Sequence, residues 1–364
     1  MVLKIAFVAG LSDKKLRQKL QPLQALSIVE HIDLYRRQPY ADHKIRWQKL
    51  PHWAVRGRVV GELMRFALLL FRARRYDLIV ACHQEYHGVM AWLAGKINRR
   101  PVVQMIIGEV DWIWGNPIFR RAVSAASGCA VRGGISVDRL KHYGYQGPVA
   151  VIGNPYSGPP ATQAQRTPES IRYDLICVAA IVDAKAHCWL LNEVAAVKTE
   201  LPAIRLALAG VGNLESIVRQ QVERLGLTDN VSFLGWLDEP QLQDAYRSSR
   251  ALILSSWHEG LPMCVVEAMS LGLPVIVTRV GELPWLVEDG VSGIMVEYND
   301  TGALAEAILA LSRDPETAHR MGAAGQRRIA DLLVEWRVSA ISQSWQTLLS
   351  SACANASRGH AGRS

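Results

Sequence analysis

Two acids eight residues apart, Glu259 and Glu267, stand in the stretch richest in chemistry-bearing residues, His258-Glu-Gly-Leu-Pro-Met-Cys-Val-Val-Glu-Ala-Met-Ser-Leu-Gly-Leu-Pro274. An apolar run ends near Leu254, a loop carries Glu259 and Gly260, and Pro262 sits where a helix can begin, because the N–H it lacks belongs to a turn without intrahelical partners. Unpaired main-chain donors at such a helix start form an anion site, suited to a diphosphate and to the charge that grows on a leaving phosphate. Carboxylates placed before and within that helix can accept hydrogen bonds from sugar and ribose hydroxyls. The same pair also reads as a helix-start acid and a solvated mid-helix residue, and physics alone leaves both readings open.

Further candidates lie at the ends of apolar runs. Gly10 closes the run Ile5 to Ala9, and His83, Glu85 and His87 follow the run Leu78 to Cys82. Glu109 and Asp111 follow the run Val102 to Ile107. Two histidines four apart converge on a metal only when a helix carries them, and this stretch starts at a strand end, so no metal is expected. His83, Glu85 and His87 are read as contacts to an acceptor or donor, or as ordinary loop packing. The chain has no Ser/His/Asp constellation, no Walker loop and no GxGxxG followed by an acid twenty residues on. Gly210-Val-Gly212 is read as turn geometry rather than as a dinucleotide site.

These residues need a scaffold of strands and crossover helices. Short apolar runs alternate with longer mixed ones: Ile5 to Ala9, Leu78 to Cys82, Val102 to Ile107, Gly128 to Val131 and Val149 to Ile152 in the first half. Leu175 to Ala179, Arg205 to Ala209, Val231 to Leu234, Ala251 to Leu254 and Pro274 to Thr278 follow in the second. The pattern predicts an α/β protein with two Rossmann-like doubly wound domains facing a cleft, with sites at the carboxyl ends of the strands. The boundaries read as 1–165 for the first domain, 172–335 for the second, and 336–364 for a C-terminal helix and frayed tail that packs back on the first. The polar tract Ala161 to Ser170 is the linker.

The 364 residues are 49% hydrophobic and 20% charged, which excludes disorder, collagen and a small disulfide scaffold. The greasiest run, Phe66 to Phe71, is too short to span a bilayer as a helix. Met1 to Gly10 reads as a buried strand and turn rather than a signal peptide, so a cytoplasmic location is expected. Six scattered cysteines without a CxxC pair suit reduced core thiols and no zinc site. Charge is unevenly distributed: residues 1–165 hold 24 Lys+Arg against 10 Asp+Glu, and the remainder 17 against 23. A basic first domain attracts phosphates, anionic headgroups or an acidic polymer, and it carries no recognisable nucleic-acid reading module. Within it, Trp53 to Tyr76 places Val55, Val59, Val60, Leu63, Met64, Ala67, Leu70 and Phe71 at helical spacing among arginines. That segment is either a helix packed on the domain or one lying on an anionic membrane surface.

The string Ser255 to Glu297 resembles the signature region of the retaining nucleotide-sugar glycosyltransferases of family 4, which have the two-domain GT-B fold. Glu259 and Glu267 match the two acids of that family's EGxx…xxE element, Ala209-Gly-Val-Gly212 its glycine turn, Phe233-Leu-Gly235 a strand end, and Asn154-Pro155 the residues before the linker. The resemblance implies that Glu259 contacts the donor sugar and Glu267 the ribose. It also implies that the main chain of Gly260, Leu261, Pro262, Met263 and Cys264 meets the phosphate. Lys185 matches a lysine that neutralises the diphosphate, but Ala180 stands where the family has a second cation, and Ala186 where it has a glycine. Arg279 is the candidate replacement cation. Gly281-Glu-Leu-Pro-Trp285 departs from the family's GGxPE loop at Glu282 and Trp285, which points to a reshaped roof over the donor. The family's histidine after the strand Val102 to Ile107 is absent, with Glu109 or Asp111 as substitutes.

The resemblance therefore implies a retaining transfer of sugar from a nucleotide-diphosphate sugar, without metal or cofactor. The acceptor is expected to be an anionic or membrane-linked saccharide or lipid, as in polysaccharide or lipopolysaccharide synthesis at the inner face of the cell membrane. An epimerase or phosphorylase of similar fold, and a non-catalytic nucleotide-sugar-binding scaffold, are the alternatives.

Overall fold

The computed structural model describes residues 2–40, 42–51, 57–83, 85–156 and 171–361. The chain forms two compact units, one of residues 1–156 with 334–364 and the other of 157–333. The expected linker at 161–170, and the start of the arginine-rich segment at 52–56, lie outside the described residues.

In the first unit, parallel strands β1 (Leu3–Val8), β2 (Val29–Tyr35), β3 (Ile45–Trp47), β4 (Leu78–Cys82), β5 (Val102–Met105), β6 (Gly128–Val131) and β7 (Val149–Val151) stand in the order β3-β2-β1-β4-β5-β6-β7. In the second, β8 (Tyr173–Val178), β9 (Leu206–Ala209), β10 (Val231–Gly235), β11 (Ser249–Leu254), β12 (Val275–Thr278) and β13 (Ile294–Val296) run in the order β10-β9-β8-β11-β12-β13. Both sheets are wrapped by helices and doubly wound, as the alternation of runs predicts. The strand order reverses between β1 and β4 in one sheet and between β8 and β11 in the other, where open α/β sheets leave a crevice for ligand.

The central strands were legible because a strand covered on both faces is a continuous apolar run. Strands β2, β3 and β13 carry weaker signals. β2 breaks its apolar residues with Glu30, His31 and Asp33, while β3 and β13 span three residues each.

The helix Arg58–Arg72 divides the apolar set of the sequence into opposing faces. Leu69 is buried, with Phe66, Leu68 and Leu70 packed partly against the same core. Val59, Leu63 and Phe71 are 71%, 63% and 82% exposed, and Ala67 between them is exposed too. Along the inward line, four residues apart, run Gly61, Arg65 and Leu69, so an arginine occupies a core-facing place while a wholly apolar stripe points outward. Among the described residues no helix is long and apolar enough to cross a membrane.

The helix Val338–Ala361 belongs to the first unit. Ser342 donates to the carbonyl of Pro22 at 2.8 Å, and a side chain on Gly128 of β6 would collide with Leu348. Trp345 is fully buried there. Truncating a buried aromatic leaves a cavity, so Trp345→Ala should cost about 3–5 kcal/mol of first-unit stability, read as a lowered urea midpoint. An unchanged midpoint would show that this helix is not part of the core.

Candidate functional site

The second unit brings three of the candidate groups together at its switch point. β8 ends in a tight loop whose partner is the glycine turn after β9. The amide of Ala179 donates to Ala209 O, that of Ile181 to Val211 O and that of Leu214 back to Ile181 O. Gly210 and Gly212 permit this approach, since a Cβ at either would run into the carbonyl of Ala179 or Ile181. The loop then makes one 3-10 turn, Asp183–Lys185, which presents Lys185.

From β11 next door, the loop 255–262 folds over the same turn. Ser255 Oγ donates to Lys185 O at 2.9 Å, Trp257 N to Ala184 O at 3.0 Å and Trp257 Nε1 to Asp183 O at 3.0 Å. Glu259 is buried, and its Oε1 accepts from both Lys185 Nζ and Ser256 Oγ. Thr278, at the end of β12, donates to Ser256 O at 2.5 Å and fixes the serine from the other side. Two residues singled out separately thus form one ion pair across the strands flanking the reversal.

The helix Met263–Ser270 starts beyond Pro262, which takes the N-cap place without a side-chain cap on the first-turn amides. Glu267, within that helix, accepts from the Tyr246 hydroxyl at 2.9 Å, a partner the sequence did not suggest. Cys264 records how near these groups stand. Burial holds its thiol well above the ordinary range, Glu259 and Glu267 push it the same way, and Lys185 opposes them. Lys185, Glu259, Glu267 and the helix start share one neighbourhood.

Other candidates meet different surroundings. Arg279 pairs with Asp289 at 2.8 Å and Glu297 at 2.9 Å, so a phosphate there would compete with two acids for it. Gly281 has φ +56°, and a Cβ there would strike the carbonyls of Glu259 and Gly260. Glu282, at the family's second glycine position, has φ −88° and is buried, a backbone conformation that needs no glycine. In the first unit, Gly10 lies against His87: a Cβ would come within 2.8 Å of His87 Cε1. Burial pushes His87 down to about 4, with Arg65 and His83 adding to it, so the ring is neutral at pH 7. His83 sits at φ +80° directly after β4, its amide bonded to Met105 O at 3.2 Å, and Glu85 takes the N-cap place of the helix Tyr86–Asn98. Glu109 takes the N-cap place of the helix Val110–Gly115. Asp111 joins this helix to Gly134–His142 and the residue after it, accepting from Tyr143 OH at 2.6 Å and facing Arg139 at 3.4 Å. Among the described residues no group of three or more His, Cys, Asp or Glu converges as a metal site.

Residues 172–314 match the family described as Glycosyl transferases group 1. D-inositol 3-phosphate glycosyltransferase of Streptomyces griseus is 29% identical over 210 residues, 55% of this chain and 44% of that protein, so the match spans less than half of that relative. Two solved structures cover nearly the whole chain. Anabaena HepE in complex with UDP and glucose gives a TM-score of 0.72 at 21% identity, over 96% of this chain and all of the other. Sucrose-phosphate synthase from Thermosynechococcus elongatus gives 0.75 at 20%, over 97% and 99%. The chain has the GT-B fold and is related to the glycosyltransferases that share it, as the motif resemblance implies.

Ala186, directly after Lys185, has φ +49° and ψ +40°, the left-handed region where a Cβ is disfavoured. The glycine usual in the family at this place therefore has a backbone reason. Ala186→Gly should stabilise the protein by about 0.5–1 kcal/mol, seen as a higher urea midpoint, provided relief of strain exceeds the entropy glycine loses on folding. A lower midpoint would mean that the strain relieved is smaller than the entropy glycine loses on folding.

Proposed function

We propose that this protein is a retaining glycosyltransferase that moves a sugar from a nucleotide-diphosphate sugar to an anionic, lipid-linked saccharide in surface polysaccharide or glycolipid synthesis. The observation that carries the reading is the Lys185–Glu259 pair at the second sheet's switch point, beside the uncapped helix start and Glu267. A diphosphate lying at that helix start meets main-chain N–H groups and the Lys185 ammonium, both of which stabilise charge on the departing phosphate. Engagement of Lys185 by phosphate leaves Glu259 held by Ser256 and able to accept a sugar hydroxyl. Glu267, steadied by Tyr246, receives the ribose.

Retention follows from the family resemblance. The acceptor hydroxyl attacks on the face the phosphate is leaving, and the departing oxygen takes its proton, so positioning does the work of a protein base. Support for a nucleotide sugar as donor comes from the family match over residues 172–314 and from the UDP and glucose held by HepE.

Calorimetric titration with UDP and with GDP tests the donor site directly: micromolar binding is expected for one of them. Glu267→Ala should weaken that nucleotide about tenfold through the lost ribose contact, and Lys185→Ala should lower turnover more than nucleoside affinity. Absence of binding by either nucleotide would favour a scaffold, and sugar 1-phosphate as product in place of a new glycosidic bond would favour a phosphorylase.

The exposed stripe Val59, Leu63, Ala67 and Phe71, with exposed Arg74 and Arg75 beyond it, supports a peripheral position on an anionic leaflet. Leu63→Asp with Phe71→Asp should at least halve sedimentation with vesicles containing phosphatidylglycerol while leaving nucleotide binding intact. Equal sedimentation of both proteins would remove the helix from that role.

A further inference from the structure

A cavity of about 1320 Å³ opens in the first unit at the carboxyl ends of β1, β2 and β4, beside that sheet's strand reversal. Its lining divides by chemistry. Arg36 and Arg37, directly after β2, and Arg65, from the inward face of the helix Arg58–Arg72, supply three guanidiniums against one carboxylate, Glu62. Val59, Leu63, Phe66, Met90, Ile118 and Phe119 supply an apolar wall. Three of these, Val59, Leu63 and Ile118, are also exposed on the surface, so the apolar wall reaches the outside.

We propose that this cavity is the acceptor's anchoring site, with Arg65, Arg37 and Arg36 seating a phosphate or diphosphate and the apolar wall receiving the hydrocarbon chain attached to it. The inference rests on the transferase reading above and names the acceptor's chemical class.

Arg65 is only 2% exposed, an expensive place for a cation unless its charge is used. Glu62 and the carbonyl of Ala9, 3.4 Å away, answer part of its bonding capacity, and its Nε has no hydrogen-bond partner among the described residues. Burial pushes Arg65 down to about 10, and Arg37 and Arg36 push it further, the mark of like charges gathered round one point. Arg36 is itself buried and held in place by Asp13 at 2.7 Å and Gln38 at 3.1 Å. An anion between these groups relieves the repulsion and can accept the planar paired hydrogen bonds that guanidinium offers to phosphate. Gly10 keeps the floor open, because a side chain there would strike the His87 ring. An inorganic anion would use the arginines and leave the wall unused. An uncharged lipid would use the wall and strand the arginines. A ligand carrying both parts uses the whole cavity.

Farnesyl diphosphate, farnesol and inorganic phosphate are the probes, titrated calorimetrically below the detergent's micellar concentration into the full-length protein, with the nucleotide that binds it as a parallel titrant. Farnesyl diphosphate should bind at least tenfold more tightly than either farnesol or phosphate. Arg37→Gln and Arg65→Met should each weaken it about tenfold, the loss of a hydrogen bond to a charged group, and leave nucleotide affinity unchanged. Arg37 lies at the half-buried rim, so its variant carries the test should Arg65→Met fail to fold. Farnesol binding as tightly as the diphosphate, or both variants binding the diphosphate like the parent, would overturn the anchoring site. Loss of diphosphate binding in a parent that still binds nucleotide would sink this inference alone. Failure of nucleotide to bind a parent that takes up farnesyl diphosphate would sink the donor reading and leave the lipid-phosphate site standing.

Discussion

The contact at the centre of the second unit's candidate site is a carboxylate and an ammonium joined across two neighbouring strands. Lys185 follows β8 and Glu259 follows β11, and a parallel sheet brings the two together only at the place where its winding reverses. Much of the surrounding structure exists to hold that meeting. The glycine turn after β9 braces the loop of Lys185, Trp257 clamps the same loop through Ala184 and Asp183, and Thr278 locks Ser256 under Glu259. A pair with a buried acid is expensive to break from one side, so the loops that carry it are bound to move or stay as a set.

How much of this could be read from the residues depended on whether the signal was local. β8, β9, β11 and β12 are apolar runs with helical patterns between them, and the stretch 258–274 declared a loop entering a helix through Pro262. The partners were not legible: nothing near Glu267 in the chain points to Tyr246, and nothing near Arg279 points to Asp289 and Glu297. Ala186 shows the reverse case. Its departure from the family's glycine was visible, but that the position demands a left-handed backbone emerged only with the turn itself.

The helix Arg58–Arg72 exposes the limit of reasoning from periodicity. An apolar stripe at helical spacing normally faces inward, and here Val59, Leu63, Ala67 and Phe71 face outward while Arg65 turns in. The cue was present in weak form: Arg65 adjoins the greasiest run of the chain, and Arg36-Arg37 stand where β2 ends. β2 mixes polar and apolar residues, so the sequence alone does not mark its end, and Arg36, Arg37 and Arg65 read there only as positive charge. Their convergence on one cavity is a property of the folded sheet order.

The first unit is discontinuous along the chain. Gly153 leaves room for the indole of Trp336, and Leu348 packs over Gly128, so residues 334–361 complete a core begun by residues 2–156. During synthesis the second unit emerges whole and can close by itself. The first must wait, with β5, β6 and β7 uncovered where the closing helix packs, until the ribosome has delivered that helix. Chaperone demand should therefore concentrate on the amino-terminal half, and any truncated message would yield a nascent chain in which only the inserted unit is protected from proteolysis.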